Sequence, residues 1–156
     1  MWASIAKAMT SMILLSACLA GVNCKYNGGN NEVPALRKLY EEGRAVLVCP
    51  EQLGGLPTPR IPCEIRGKRV YNTRGEDKTA CFVKGAEEAL KICRANGCRL
   101  AVLKANSPSC GPDEIYDGTF THTKIKGSGI FASMLKEEGI ELISELDEMK
   151  GLEKYL

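Results

Sequence analysis

Three cysteines stand where the chain leaves an apolar run: Cys18 after MILLSA (12–17), Cys49 at the end of AVLVC (45–49), and Cys110 in the loop that follows LAVLK (100–104). A thiolate is both a soft metal ligand and a strong side-chain nucleophile. Polar groups flank two of the three. Glu51 lies two residues beyond Cys49 in CPE, with Pro50 stiffening the turn, and Ser107 and Ser109 precede Cys110 in NSPSCG. Carboxyl and hydroxyl groups beside an open metal position are the parts needed to move a proton and orient a small polar molecule. On spacing alone three readings stay open: a thiolate-bound metal or cluster, redox thiols, and inert packing.

Structural zinc sites usually show C-x-x-C knuckles, and the sequence has none. An iron–sulfur cluster needs thiolates but no knuckle, and three protein thiolates would leave one iron open. Five further cysteines have other readings. If Asn96 closes a helix and Gly97 turns left-handed after it, Cys98 meets Cys93 in the contact of a Schellman motif. Cys81 falls near the start of that helix, Cys24 close enough to Cys18 to enter the site, and Cys63 in a proline-rich stretch; none is assigned as a ligand. Lys104, Asn106, Arg60 and Tyr26 are candidates to line a pocket, without assigned roles. His122 lies among threonines after a turn and reads as a surface residue, and GSG at 127–129 reads as a flexible helix start rather than an anion site.

The elements that must position these groups follow from pattern. Strands are expected at 12–17, 45–49, 100–104 and 140–144, and helices at 33–42, from a cap at Asp77 or Thr79 to Asn96, and from a Ser128 cap to Glu138, with a final helix in the charged tail from Glu145. Residues 50–64 hold four prolines and two glycines, which predicts a covering loop without regular structure. Hairpins are expected about Gly67 and about Asp117 and Gly118. Strand and helix alternation predicts an α/β fold: an open, mainly parallel sheet flanked by helices in a single domain. The carboxyl ends of such strands share one edge, where ligands bind, so Cys18, Cys49 and Cys110 could converge there.

A chain of 156 residues is the length of one domain, and its composition of 44% hydrophobic and 26% charged residues excludes a disordered chain. The net charge of +2 from 21 basic and 19 acidic residues argues against a nucleic-acid or anionic-lipid partner. Eight cysteines fall short of the roughly 8–10% that marks a disulfide scaffold. Residues 1–20 have the look of a lipoprotein signal ending at Cys18. Its apolar core is short and interrupted by Thr10 and Ser11, and only Lys7 precedes it. The expectation is therefore a buried first strand, with residues 1–11 as an N-terminal extension, 12–156 as the single domain, and a reduced, cytoplasmic setting. No segment approaches the ~20 apolar residues of a membrane span.

SACLAGVNCKYNGG (16–29), VCPEQLGGLPTPR (48–60) and LKANSPSCGPDEIYDGTF (103–120) together resemble a bacterial and archaeal family long labelled a domain of unknown function and since associated with thiouracil desulfidase. The likeness runs from about Met12 to Ile143. It implies a 4Fe-4S cluster held by three cysteines, here Cys18, Cys49 and Cys110, with one open iron, and places Glu51 and Ser107 at the family's catalytic polar positions. Asn27 stands where aspartate is expected in many relatives. The implied activity is a non-redox hydrolysis: a thiolated nucleobase such as 2-thiouracil, or a related thioamide, exchanges sulfur for water oxygen and releases hydrosulfide. Two other readings are a sulfur-carrier module without turnover and an exported lipoprotein acylated at Cys18. Neither substrate identity within this class nor oligomeric state follows from the sequence.

Overall fold

The computed structural model describes residues 12–147 and Leu152, so the expected extension over 1–11 and most of the expected tail helix lie outside the described residues. In chain order the elements are β1 (Ile13–Ser16), a 3-10 turn (Ala17–Ala20), α1 (Pro34–Glu41), β2 (Ala45–Val48), α2 (Pro50–Leu53), β3 (Cys63–Arg66), β4 (Arg69–Asn72), α3 (Thr79–Ala95), β5 (Leu100–Leu103), β6 (Glu114–Tyr116), β7 (Lys124–Lys126), α4 (Ile130–Glu137) and β8 (Glu141–Ser144). Among the described residues no helix is long and apolar enough to cross a membrane.

β2, β1, β5 and β8 form an all-parallel sheet in that order, with Leu14 opposite Val46 on one side and Ala101 on the other. Side chains of a strand alternate between faces, and the core divides accordingly. Ile13 and Leu15 pack with Leu100 and Val102 under Leu36 and Leu39 of α1. Leu14 packs with Ala101 and Leu103 under Ala86 and Ala89 of α3 and Phe131 and Leu135 of α4. The open parallel sheet with helices on both faces is the expected architecture. After β1 the chain moves to β2 on one side, then crosses to β5 on the other. At that reversal the loops leaving β1 and β5 diverge and open a crevice at the carboxyl edge.

The expected cap at Asp77 or Thr79 is corrected: Lys78 holds the capping position of the long helix without a side-chain cap bond, and the two flanking residues make other bonds. Asp77 Oδ1 accepts the Thr79 N–H at 2.9 Å, and Thr79 Oγ1 accepts the Val70 N–H at 2.9 Å. At the other end Gly97, with φ 62°, donates to Arg94 O and Cys98 donates to Cys93 O, the two bonds of a Schellman motif.

Three further local expectations are corrected. The stretch 50–64 is not devoid of regular structure: it opens with the helical turn α2 and ends by entering β3. Proline is compatible with the first helical position, where its missing N–H would have no intrahelical partner, and Pro50 occupies it. Ser128 does not cap α4. Gly129 holds that position, and the Ser128 hydroxyl instead donates to Pro112 O at 2.9 Å. The second hairpin is not a tight turn at Asp117 and Gly118, since β6 and β7 are joined by the longer loop 117–123. In the tail, Glu145 and Leu146 form a turn.

α2 is seated directly on α3. A Cβ built at Gly85 would lie 1.7 Å from Pro50 O, and one at Gly54 would lie 2.0 Å from Cys81 O. Glycine inside a helix costs roughly 0.5–1 kcal/mol relative to alanine, and here it permits two backbones to touch.

Candidate functional site

Cys18, Cys49 and Cys110 line one cavity of about 560 Å³ at the carboxyl edge of the sheet, together with Glu51 and Ser107. The structure therefore brings these five together, while Ser109, the other serine flanking Cys110, is buried outside the cavity lining. Lys104, Asn106, Arg60 and Tyr26 line it too. The volume lies within the range of about 300–1,000 Å³ typical of small-molecule sites.

Each thiol is placed by a different piece of backbone. Cys18 sits in the 3-10 turn after β1, its carbonyl accepting the N–H groups of Gly21 (3.3 Å) and Asn31 (2.9 Å). Cys49 precedes Pro50 at the start of α2, so the geometry that begins the helix also aims the thiol and sets Glu51 in the first turn. Cys110 lies in a loop clamped to α4: the carbonyls of Gly111, Pro108 and Ser109 accept N–H groups of Gly129, Ile130 and Phe131, each at 2.9 Å. These are donors that a helix start leaves without intrahelical partners. The GSG segment is thus occupied by main chain.

Cys24, which was not assigned as a ligand, lies between two of the three thiols. Its hydrogen bonds to Cys18 and Cys49 push its own ionisation up and pull both neighbours down. Cys18 is lowered chiefly by the Cys24 thiol, against burial, with help from Asn31. Cys49 is lowered to about 7 by the Cys24 thiol, against burial, with help from the Gln52 N–H. Burial pushes Cys110 up, partly countered by the Ser16 hydroxyl and reinforced by negative charge at Cys18, Cys49 and Glu51. Burial likewise pushes Cys63 up to about 11. Coordination reverses such a balance, since a metal deprotonates its ligand thiol.

The polar side chains are held as firmly. Glu51 Oε1 accepts from Arg60 Nε at 3.0 Å, a pair whose side chains are only 17% and 6% exposed. No hydrogen bond reaches its other oxygen among the described residues. Ser107 Oγ accepts from the backbone N–H groups of Ser109 (3.1 Å) and Cys110 (3.0 Å). Those two bonds use the acceptor capacity of the hydroxyl and leave its hydrogen to donate. Lys104 Nζ pairs with Glu145 Oε2 at 2.9 Å, and Glu145 Oε1 accepts the Ala105 N–H at 2.7 Å, which ties the exit of β5 to the residue that follows β8.

Cys24 enters the site as its nearness to Cys18 led one to expect, whereas sequence reasoning missed Ser16, Asn31, Cys63, Phe120 and His122 as cavity residues. His122 is exposed, as expected of a surface residue, yet it stands at the cavity and meets Tyr116 edge to face. Asn106, Phe120 and His122 are the non-glycine residues with positive φ (67°, 58° and 61°) among the described residues, and all three line the cavity. Such backbone is sparsely populated and tends to gather at functional sites. It has no signature in side-chain type, although the CxxxxxC spacing of Cys18 and Cys24 did offer a signal for Cys24.

The donor set fits a thiolate-bound cluster. Three thiols reach one cavity from three segments, and thiolates are the ligands such a cluster takes.

A family model described as 2-thiouracil desulfurase matches residues 13–147. The YbbK protein of Bacillus subtilis (strain 168) is 43% identical over 144 residues, covering 86% of this chain and 95% of that protein. A solved structure titled [4Fe-4S]-dependent thiouracil desulfidase TudS is similar with a TM-score of 0.83 at 44% identity, covering 86% of this chain and 91% of that one.

Proposed function

This chain belongs to the 2-thiouracil desulfurase family, and from that premise we propose that it is a 4Fe-4S-dependent desulfidase converting a thiolated nucleobase such as 2-thiouracil to its oxo form. Overall, the C=S bond is replaced by C=O, one water is consumed and one hydrogen sulfide is released, with no net electron transfer. Cys18, Cys49 and Cys110 are the proposed cluster ligands. The supporting observation is their arrival from three separate segments at one cavity that also holds Glu51 and Ser107. When bound, such a cluster supplies an open, thiolate-ligated iron, a soft Lewis acid matched to a thione sulfur.

The protein side chains then handle position and protons. The Ser107 hydroxyl, its acceptor capacity taken by two backbone N–H groups, donates to a ring nitrogen or exocyclic atom of the substrate and fixes its plane. The unbonded carboxylate oxygen of Glu51 takes a proton from the attacking water and returns it to the departing sulfur. Phe120 and His122 at the cavity wall offer ring faces and edges against a planar heterocycle.

Anaerobic reconstitution with iron and sulfide followed by incubation with 2-thiouracil tests the reading. The expected result is a brown protein that releases many equivalents of uracil and sulfide per chain. A colourless protein with stoichiometric zinc overturns it, and a single equivalent of sulfide without uracil turnover would identify a carrier instead.

A further inference from the structure

Arg60 lines the cavity, yet its guanidinium is turned into the protein rather than toward a ligand. Its side chain is 6% exposed, and four of the five N–H groups a guanidinium carries are committed. Nε donates to Glu51 Oε1 (3.0 Å), Nη2 to Cys24 O (2.8 Å), and Nη1 to Pro57 O (3.2 Å) and Thr58 Oγ1 (3.0 Å). Its own backbone N–H donates to Tyr26 O at 2.7 Å. One planar group thus joins the segment of Cys24, the first turn of α2, and the loop between α2 and β3. The Cys24 carbonyl it holds also accepts from the Cys49 thiol, at 3.9 Å.

We propose that Arg60 is the positioning residue for Glu51: the Arg60 fork fixes one carboxylate oxygen so that the other faces the reacting atoms, and ties that oxygen's place to the Cys24 segment beside the cluster thiols. The inference rests on the desulfidase reading. A carboxylate on a flexible side chain can rotate, and a bond to a single oxygen from a rigid, buried partner removes that freedom. A lysine in the same place supplies charge but cannot hold Glu51, Cys24 and Thr58 in one plane. Misplacement of a proton-transfer group by about 1 Å costs on the order of a hundredfold in rate.

The test compares Arg60→Met, Arg60→Lys, Glu51→Gln and the Arg60→Met/Glu51→Gln double variant as reconstituted proteins. It measures iron per chain, thermal midpoint, and kcat and KM for 2-thiouracil. Arg60→Met is expected to keep its iron, to hold KM within about threefold, and to lose about a hundredfold in kcat. Arg60→Lys retains the buried charge, serves should the methionine variant not fold, and is expected to lose at least about tenfold in kcat. The double variant is expected to turn over no more slowly than Glu51→Gln alone, and its midpoint to fall by less than the sum of the single changes. Multiplying kcat losses, iron lost in step with kcat, or wild-type turnover in Arg60→Lys would each overturn the assignment. If the wild-type protein shows no thiouracil turnover, the desulfidase reading fails by itself, while midpoint additivity still decides whether Arg60 and Glu51 act as one unit.

Discussion

Two groups of cysteines in this molecule are built from the same atoms toward different ends. At the sheet's carboxyl edge Cys18, Cys49 and Cys110 come from three distant segments and face a cavity. At the end of α3, Cys93 and Cys98 come from one helix terminus, are 1% and 4% exposed, and face each other: the Cys93 thiol donates to Cys98 O at 3.9 Å. Both groups contain hydrogen-bonded thiols whose ionisation is split in opposite directions. Thiol proximity and shifted acidity therefore do not distinguish a reactive site from a packed one. Cys110 even shares the core cluster of Ala89, Ala132 and Leu135 with Cys93 and Cys98, and what distinguishes it is that its other side meets a cavity lined by a carboxylate and a donor hydroxyl, which Cys93 and Cys98 do not reach.

The strongest challenge to that contrast is removal of a thiol from each group. Cys110→Ala is expected to reduce iron retained after reconstitution to background, whereas Cys98→Ala keeps the wild-type amount; equal losses by elemental analysis would erase the distinction. Glu51→Gln should retain iron and visible absorbance while kcat drops by about 10²–10⁴. A variant that bleaches instead would move Glu51 from chemistry to cofactor retention. Gly85→Ala, outside the cavity, should lower unfolding free energy by roughly 1–3 kcal/mol in denaturant titration, because the added carbon meets Pro50 O. Cys93→Ala should cost about 1 kcal/mol and leave iron untouched, as expected for a small buried hydrophobe.

The smallest effect belongs to the opposite end of α3. Asp77 is held down to about 2 by the Thr79 hydroxyl and backbone N–H and by Arg69. Its folded-state value lies below the unfolded value of about 3.9, so its contribution is complete above that range and disappears as pH falls through 2. Asp77→Asn should therefore lower the melting temperature slightly at pH 7 and match the wild type near pH 2; a difference persisting at pH 2 would point to lost geometry rather than lost charge.

The parallel strands were legible because continuous apolar runs such as ILLS and LAVL fit a sheet buried on both faces. The placing of Cys18, Cys49 and Cys110 on one cavity followed from where such strands end. The Schellman contact of Cys93 and Cys98 was readable from Asn96 and Gly97 alone. What escaped depends on partners far along the chain. Arg60 reaches Cys24 O across 36 positions, and the Glu64 carboxylate holds the N–H groups of Gly118 and Phe120, supporting a loop whose left-handed residues include Phe120 and His122. The helical turn at Pro50 was hidden by reading four prolines as uniformly disruptive, when the first of them stands where a helix accepts one.

Beneath Glu51 the two helices meet main chain to main chain, at Gly54 and Gly85. The tilt of the platform that carries the carboxylate is consequently dictated by the smallest residues in the protein, behind the wall of the cavity. Drift in the exposed side chains of α3 leaves that tilt alone, while one extra methyl group at either glycine levers the platform away. Among the described glycines, the one least forgiving of growth therefore belongs to a bare seam outside the cavity lining.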